Sequence, residues 1–281
     1  MTLLKMNRFI DTFLWQVLQE DIGQGDLTTN TTVPDDSWVQ AHLLAKDEGV
    51  LCGLPLFKRV FFLLDESINV KLLVEEGASV EPGQVLAELQ GPARSLLTGE
   101  RVALNLLQRL SGVATATKSA VKQIEGLPCK IIDTRKTTPG LRFFEKYAVR
   151  IGGGFNHRFN LADGILIKDN HIRAAGGITA AVTSARIKSP HTMKIEVEVE
   201  NFEQVKEAID SGADILLLDN MSLDQMTEAV DWIKGRALTE ASGNMGRKDL
   251  RAVAQTGVDL ISIGALTHSV KALDLSVNFL Y

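Results

Sequence analysis

The sequence predicts an α/β protein, a parallel barrel-type sheet preceded by a smaller α+β domain. After Gly126 the chain repeats strand, loop and helix, with strands ending at Asp133, Lys168, about Glu198, Asp219, Glu240 and Gly264. The last four intervals are 30, 21, 21 and 24 residues, and βα units of that length build a parallel sheet. The runs Ile215 to Leu218 and Leu260 to Ile263 are apolar throughout, as expected of strands covered on both faces. Residues 38–90 differ, with short strands around Ala41–Ala45, Val70–Leu73 and Val85–Leu89 and one helix between them. A barrel and a doubly wound open sheet both fit the parallel part. The barrel is favoured because nearly every one of the six discernible strands ends in a polar, functional-looking group, and barrel enzymes gather their chemistry at that rim.

In chain order, Asn7 to Glu20 is an amphipathic helix with Ile10, Phe13, Leu14, Val17 and Leu18 on one stripe. Asp21 to Thr29 is polar and glycine-punctuated and reads as a surface loop. Pro55 to Leu64 is the helix of the small domain, and Arg94 to Gly112 is a long helix carrying Leu97, Val102, Leu106 and Leu110. Apolar positions Phe144, Tyr147, Ala148 and Ile151 recur at helical spacing until Gly152-Gly153-Gly154 stops them. Later helices cover Thr179–Lys188, Phe202–Ser211, Leu223–Lys234 and Arg247–Thr256. Two of them begin with capping boxes, Asn201-x-x-Gln204 and Ser222-x-x-Gln225.

The chain has 281 residues, 45% apolar and 23% charged, with a formal charge of −5. A chain of this size buries a substantial core. Its acidic balance argues against general nucleic-acid binding. The two cysteines, Cys52 and Cys129, have no metal-site spacing and read as reduced thiols of a cytoplasmic protein. No secretory h-region opens the chain and no apolar run approaches ~18 residues, so no membrane partner is expected.

Against that acidic background, residues 135–168 carry seven Lys/Arg (Arg135, Lys136, Arg142, Lys146, Arg150, Arg158, Lys168) and two acids, Glu145 and Asp163. A reversal of that size points to an anionic ligand. Lys130 to Asp133 reads as a strand, with Thr134-Arg135-Lys136 at its end. Asn156-His157-Arg158 follows the glycines as a loop, and Ile165 to Ile167 is a strand ending at Lys168. Arg142, Lys146 and Arg150, on the polar side of the intervening helix, read as surface charges. Arg135, Lys136, Arg158 and Lys168 do not, because a charge at a strand end is costly unless something answers it.

Ile-Glu-Val-Glu-Val-Glu, 195–200, puts Glu196, Glu198 and Glu200 on one face. The face is either the solvated side of an edge strand or the inside of a barrel. Asp219 is delivered to the rim by four apolar residues. Glu240-Ala241-Ser242-Gly243-Asn244 and Gly264-Ala265-Leu266-Thr267-His268 are loops whose small residues let backbone N–H groups approach a phosphate.

The stretches DTRKTTPGLR, EKYAVRIGGGFNHR and LIKDNH resemble the signature of the quinolinate phosphoribosyltransferases, and the resemblance extends from EDIGQGDLTT to SIGALTHSVKALDLS. It implies an incomplete barrel of about seven strands over residues 113–270. An N-terminal α+β domain of barrel-sandwich or hammerhead type would occupy 1–112, with a tail at 271–281 packing back on it. It implies phosphoribosyl transfer from phosphoribosyl pyrophosphate to the ring nitrogen of quinolinate, with decarboxylation to nicotinate mononucleotide. Mg²⁺ and no organic cofactor are implied.

By the same resemblance Arg135, Arg158 and Lys168 meet quinolinate, His157 shapes the pocket and Thr134 binds substrate. Arg101 reaches in from the neighbouring subunit of a homodimer, and Lys136 meets the pyrophosphate. Glu198 and Asp219 stand near the ribose and Mg²⁺, and Lys136, Lys168, Glu198 and Asp219 are the implied catalytic set. Ser242, Gly243, Asn244, Gly264, Ala265 and His268 are assigned to the 5′-phosphate and Ile263 to substrate binding, though His268 equally suits capping a following helix. Phe155, and Asn160 in Phe159-Asn160-Leu161, depart from the family pattern beside the implied pocket. Within the family, the molybdenum-transport relative fits less well than the quinolinate enzyme, given RKTTPG and an intact Lys168.

Two readings from other classes compete. EEGASVEPGQVLAEL resembles a biotinyl or lipoyl carrier domain, but no lysine lies between Lys71 and Arg94 to be modified. An aldolase needs a Schiff-base lysine, for which Lys168 is the candidate.

Overall fold

The computed structural model describes residues 4–280, which divide into two compact units, 4–116 with 270–280, and 117–269. In the first, α1 (Arg8–Ile22) begins where the Asn7 side chain accepts the N–H of Ile10, and it buries Ile10, Leu14 and Leu18. The polar stretch read as a loop contains a short helix instead, α2 (Leu27–Thr32). Asp26 caps it, accepting from Thr29 N–H at 3.0 Å and from the Thr98 hydroxyl at 3.1 Å, so one carboxylate offsets the weak helix propensity of the threonines.

The unit continues through β1 (Trp38–Ala45), β2 (Gly49–Val50), α3 (Leu54–Leu64), β3 (Asn69–Leu72), β4 (Ser79–Val80) and β5 (Val85–Pro92). An antiparallel sheet pairs β1 with β5 and β5 with β3. Its burial alternates along β1, the pattern of a sheet packed on one face. Arg59 of α3 grips Asp11 of α1 with two parallel bonds, 2.8 and 2.9 Å.

α4 (Ala93–Gln123) then runs for 31 residues, well beyond the end that the sequence predicts at Gly112. Gly112 is not a stop. A Cβ there would collide with the carbonyl oxygen of Lys271 and lie 3.1 Å from Ala272 Cα, so glycine answers a close backbone approach inside a continuous helix. Leu97, assigned above to the apolar positions of this helix, is exposed.

The second unit is built on β6 (Lys130–Ile132), α5 (Arg142–Ile151), β7 (Ile165–Ile167), α6 (Asp169–Ala175), α7 (Ile178–Lys188), β8 (Ile195–Val199), α8 (Phe202–Asp210), β9 (Ile215–Asp219), α9 (Leu223–Ile233), β10 (Leu238–Ser242), α10 (Leu250–Gln255), β11 (Leu260–Ser262) and α11 (Ala265–His268). Its six strands are parallel in the order β6-β11-β10-β9-β8-β7. Ser222 and Gln225 close the expected reciprocal box on α9. On α8 Asn201 accepts from Gln204 N–H, while the Gln204 side chain turns back to Glu200 N–H.

A seventh strand is present in residual form. Phe155, just before the loop read at Asn156-His157-Arg158, makes a single parallel bridge to Ile132 on the free edge of β6. The next-but-one residue, His157, reaches Glu196 of β8 and Glu240 of β10. Only a sheet curled on itself brings its first edge to those inner strands, so the unit is a barrel, incomplete where the Phe155 segment meets no ladder with β7 among the described residues. The last strand of the chain, β12 (Leu275–Leu280), belongs to the first unit, where it pairs antiparallel with β1.

Candidate active site

Two cavities open at the C-terminal ends of the barrel strands and share Thr134, Lys136, Lys168, Ser242 and Ser262 as walls. The larger, about 990 Å³, adds Arg135, His157, Arg158, His171 and Glu240. The smaller, about 690 Å³, adds Glu198, Asp219, Asn220, Gly243, Asn244, Gly264, Ala265 and His268. Shared walls make one cleft with a cationic lobe and an acidic, glycine-lined lobe.

The cationic lobe is held by groups the sequence reading left on the surface. Lys146 is buried, and its Nζ donates to Asp133 Oδ1 at 2.5 Å and to the His157 carbonyl at 3.0 Å. Asp133, fully buried, also accepts from Asn156 Nδ2 at 2.6 Å and from His157 N–H at 2.8 Å. Burial pulls both partners toward their neutral forms, Asp133 upward and Lys146 downward, against the hydrogen bond and charge each offers the other.

Arg142 is a brace too, with Nε on the Thr137 hydroxyl at 2.9 Å and further bonds to the carbonyls of Arg135 and Phe159. The buried Glu145 accepts from Thr138 N–H and its hydroxyl. Arg150 packs over the Phe155 ring at 4.6 Å and bonds the Gly154 carbonyl. The helix that read as polar on one side turns that side to the site loops. Asn160 accepts from Ala162 N–H in a turn of its own.

With the loops fixed, the free end of Arg135 is what the lobe presents. Its Nε is buried with no hydrogen-bond partner, an arrangement that costs free energy until an acceptor arrives. Arg158 donates to the Gly164 carbonyl at 2.9 Å. Burial first, then the charge of Arg135, lower its pKa against the opposing charge of Glu196, so the two guanidiniums stand near enough to repel each other. Thr134 Oγ1 accepts the Lys136 N–H, and the Lys136 carbonyl accepts from Thr267 Oγ1.

In the acidic lobe, Glu198 lies one residue before the end of β8 and Asp219 ends the neighbouring parallel strand β9. Glu198 Oε2 accepts from Lys168 Nζ at 2.6 Å, and Asp219 Oδ2 from Asn220 Nδ2 at 2.7 Å. Glu196, Glu198 and Glu200 share a face, but β8 is an inner strand. Glu196 is buried, Glu198 half-buried and Glu200 exposed. Lys168 donates to Glu198, so it does not stand as the desolvated amine an aldolase requires.

Asn220 and Asn244 both adopt positive φ, 56° and 54°. Gly243 has φ +97°, and a Cβ on it would lie 2.8 Å from Asn220 N. His268 closes α11 and pairs with Ser269 Oγ at 2.6 Å; no α-helix follows it among the described residues, so it caps none. Ile263 is buried, donates its N–H to the Ile132 carbonyl, and lines neither cavity. Arg101 is exposed on α4 and is not among the residues lining either cavity.

Sequence reasoning placed Arg135, Lys136, His157, Arg158, Lys168, Glu198 and Asp219, and the structure brings them to one cleft. It missed Asp133, Lys146 and Glu145 as the frame and Glu240 as a lining residue. The signal for Asp133 was a carboxylate closing a β-branched run directly before Thr-Arg-Lys.

Family models for the quinolinate phosphoribosyl transferase N-terminal and C-terminal domains match residues 26–111 and 113–278. The chain is 50% identical over 259 residues to a probable nicotinate-nucleotide pyrophosphorylase (carboxylating) of Bacillus subtilis, covering 92% of this chain and 89% of the relative. It is 47% identical to the probable enzyme of that name from Synechocystis, over 99% and 95%. The solved nicotinate-nucleotide pyrophosphorylase of Francisella tularensis superposes with a TM-score of 0.93 at 42% identity, over 99% of this chain and 98% of that one.

Proposed function

This chain belongs to the quinolinate phosphoribosyltransferase family, and we propose that it transfers the phosphoribosyl group of phosphoribosyl pyrophosphate to quinolinate, releasing pyrophosphate and CO₂ and forming nicotinate mononucleotide for NAD synthesis. The observation that carries the reading is the buried, unpartnered Nε of Arg135 beside Arg158 in a lobe continuous with an acidic, glycine-lined one. A pyridine dicarboxylate needs fixed, fork-shaped donors, and guanidinium supplies them.

Arg135, Arg158 and Lys168 hold the two carboxylates, His157 and Thr134 shape the pocket, and the ring nitrogen is the nucleophile. As pyrophosphate leaves, positive charge develops at the ribose anomeric carbon. Glu198 and Asp219 stabilise that charge, while Lys136 stabilises the departing anion. Ser242, Gly243, Asn244, Gly264 and Ala265 cradle the 5′-phosphate through backbone N–H groups, with His268 at their edge. Two carboxylates on adjacent strand ends, beside a phosphate cradle, are the hard oxygen donors Mg²⁺ takes together with substrate phosphates. Bound there by Glu198 and Asp219, the ion would neutralise pyrophosphate charge.

The unit of function is a homodimer in the cytoplasm in which the partner's copy of Arg101 completes each site. Arg101→Ala and Arg135→Ala should each abolish turnover, and an equilibrated mixture of the two should regain part of it, because mixed dimers contain one site free of both changes. No recovery would remove the shared site. For the reaction itself, purified protein with Mg²⁺ and phosphoribosyl pyrophosphate should make nicotinate mononucleotide from quinolinate and not from nicotinate. A folded protein that turns over neither acid would overturn the assignment.

A further inference from the structure

Three side chains from separate elements meet beside the cationic lobe, and the reading above gives two of them no task. Glu240 of β10 and Glu196 of β8 are 1% and 5% exposed, on strands flanking β9. His157 Nε2 lies 3.0 Å from Glu196 Oε2 and 3.7 Å from Glu240 Oε2. Their donor atoms converge closely enough to suggest a metal site, but the histidine argues against one. His157 Nδ1 accepts the Arg158 N–H at 2.7 Å, so Nε2 of the neutral ring carries the proton and faces the carboxyls as a donor.

Neither carboxyl is hydrogen-bonded to a Lys or Arg among the described residues, and one oxygen of Glu196 is buried with no partner. Two carboxyls in contact at that depth cannot both be ionised at modest cost, so the pair retains a proton. Burial, and next the charge of Glu196, hold the Glu240 carboxyl well above the usual carboxylate range, opposed by the Ser262 hydroxyl and the charge of Lys168. Glu240 is also the member of the pair that lines the larger lobe. A protonated carboxyl therefore stands at the wall of the space assigned to quinolinate.

The proposed reaction needs such a group. When the bond from the ring carbon to its carboxylate breaks, CO₂ leaves and the electron pair stays on that carbon, next to the quaternised nitrogen. The carbanion must take up a proton before a neutral C–H bond exists. We propose that Glu240 is the acid that delivers it. The O–H bond of Glu240 breaks, the proton bonds to the carbon's electron pair, and Glu240 is left as a carboxylate beside Glu196, His157, Ser262 and the charge of Lys168. Water restores its proton after product leaves. This assignment rests on the phosphoribosyltransferase reading above.

Glu240→Gln tests it, because the amide keeps the size and the donor of a protonated glutamate and cannot give up a proton. The full-length dimeric variant should show a native circular dichroism spectrum and bind quinolinate within about threefold of the parent, while kcat falls by roughly 10²-fold, the range of a lost general acid. Glu240→Asp, an acid withdrawn by one methylene, should fall between the two, since reach matters at this scale. A folded glutamine variant with parental kcat overturns the proposal. If the glutamine variant does not fold, the aspartate variant decides, and parental kcat there overturns it equally. Failure of the parent protein to turn over quinolinate would instead strike the functional reading, so the two failures are distinguishable.

Discussion

Lys146 Nζ lies 2.5 Å from Asp133 Oδ1, with both side chains at most 3% exposed. The pair is the hinge between a helix and the strand end it serves. Asp133 also carries Asn156 and the His157 N–H, and the Lys146 ammonium reaches the His157 carbonyl. Position of the cationic lobe therefore depends on an ion pair that lines neither cavity.

Removing one partner leaves the other charged and buried. Lys146→Met should destabilise the protein by roughly 3–5 kcal/mol, read as a fall in the denaturation midpoint. Adding Asp133→Asn should recover much of that loss in stability without recovering turnover, because Asn cannot accept from both Asn156 and His157 N–H as the carboxylate does.

Arg135 carries the orphaned donor, and its geometry matters as much as its charge. Arg135→Lys keeps the cation and loses the fork, so kcat/KM for quinolinate should fall by about 10²-fold, short of the abolition expected for Arg135→Ala, on the scale of one or two charge-assisted bonds. KM for phosphoribosyl pyrophosphate should move far less. Equal rises in both KM values would place Arg135 outside the quinolinate lobe.

Gly243→Ala introduces a Cβ within 2.8 Å of Asn220 N at a φ of +97°. The strain, of order 1–3 kcal/mol, falls on the loop assigned to the 5′-phosphate. Thermal stability should drop modestly, and KM for phosphoribosyl pyrophosphate should rise while quinolinate affinity, measured by calorimetry, stays put.

Glu240 sets a pH signature in stability. Its folded pKa is raised above the ordinary value of 4.5, so folded protein holds a proton that unfolded chain releases above about that pH. This contribution to stability is complete below pH 4.5 and is lost as pH rises toward the folded value. Glu240→Gln has no such loss. The melting temperature of the variant relative to the parent should therefore be higher at pH 8 than at pH 5, and a pH-independent difference would mean Glu240 is ionised when folded.

Much of this protein was determined by local sequence. The βα rhythm after Gly126, the apolar runs of β9 and β11, and the strand-end placement of Arg135, Lys168 and Asp219 follow from periodicity and turn chemistry, which act over a few residues. The composition of the cationic window alone located the cationic lobe. Tertiary structure decided the rest. Gly112 reads as a helix stop until residues 271–272 pass against it, and the single bridge from Phe155 to Ile132 has no signal in the local sequence. Lys146 reads as a surface charge until Asp133 lies within reach. Glu196 and Glu240, 44 positions apart in the chain, are buried together only because the sheet sets β8 and β10 on either side of β9. Burial of a charge is a property of everything packed around it, and no short window of sequence carries that information.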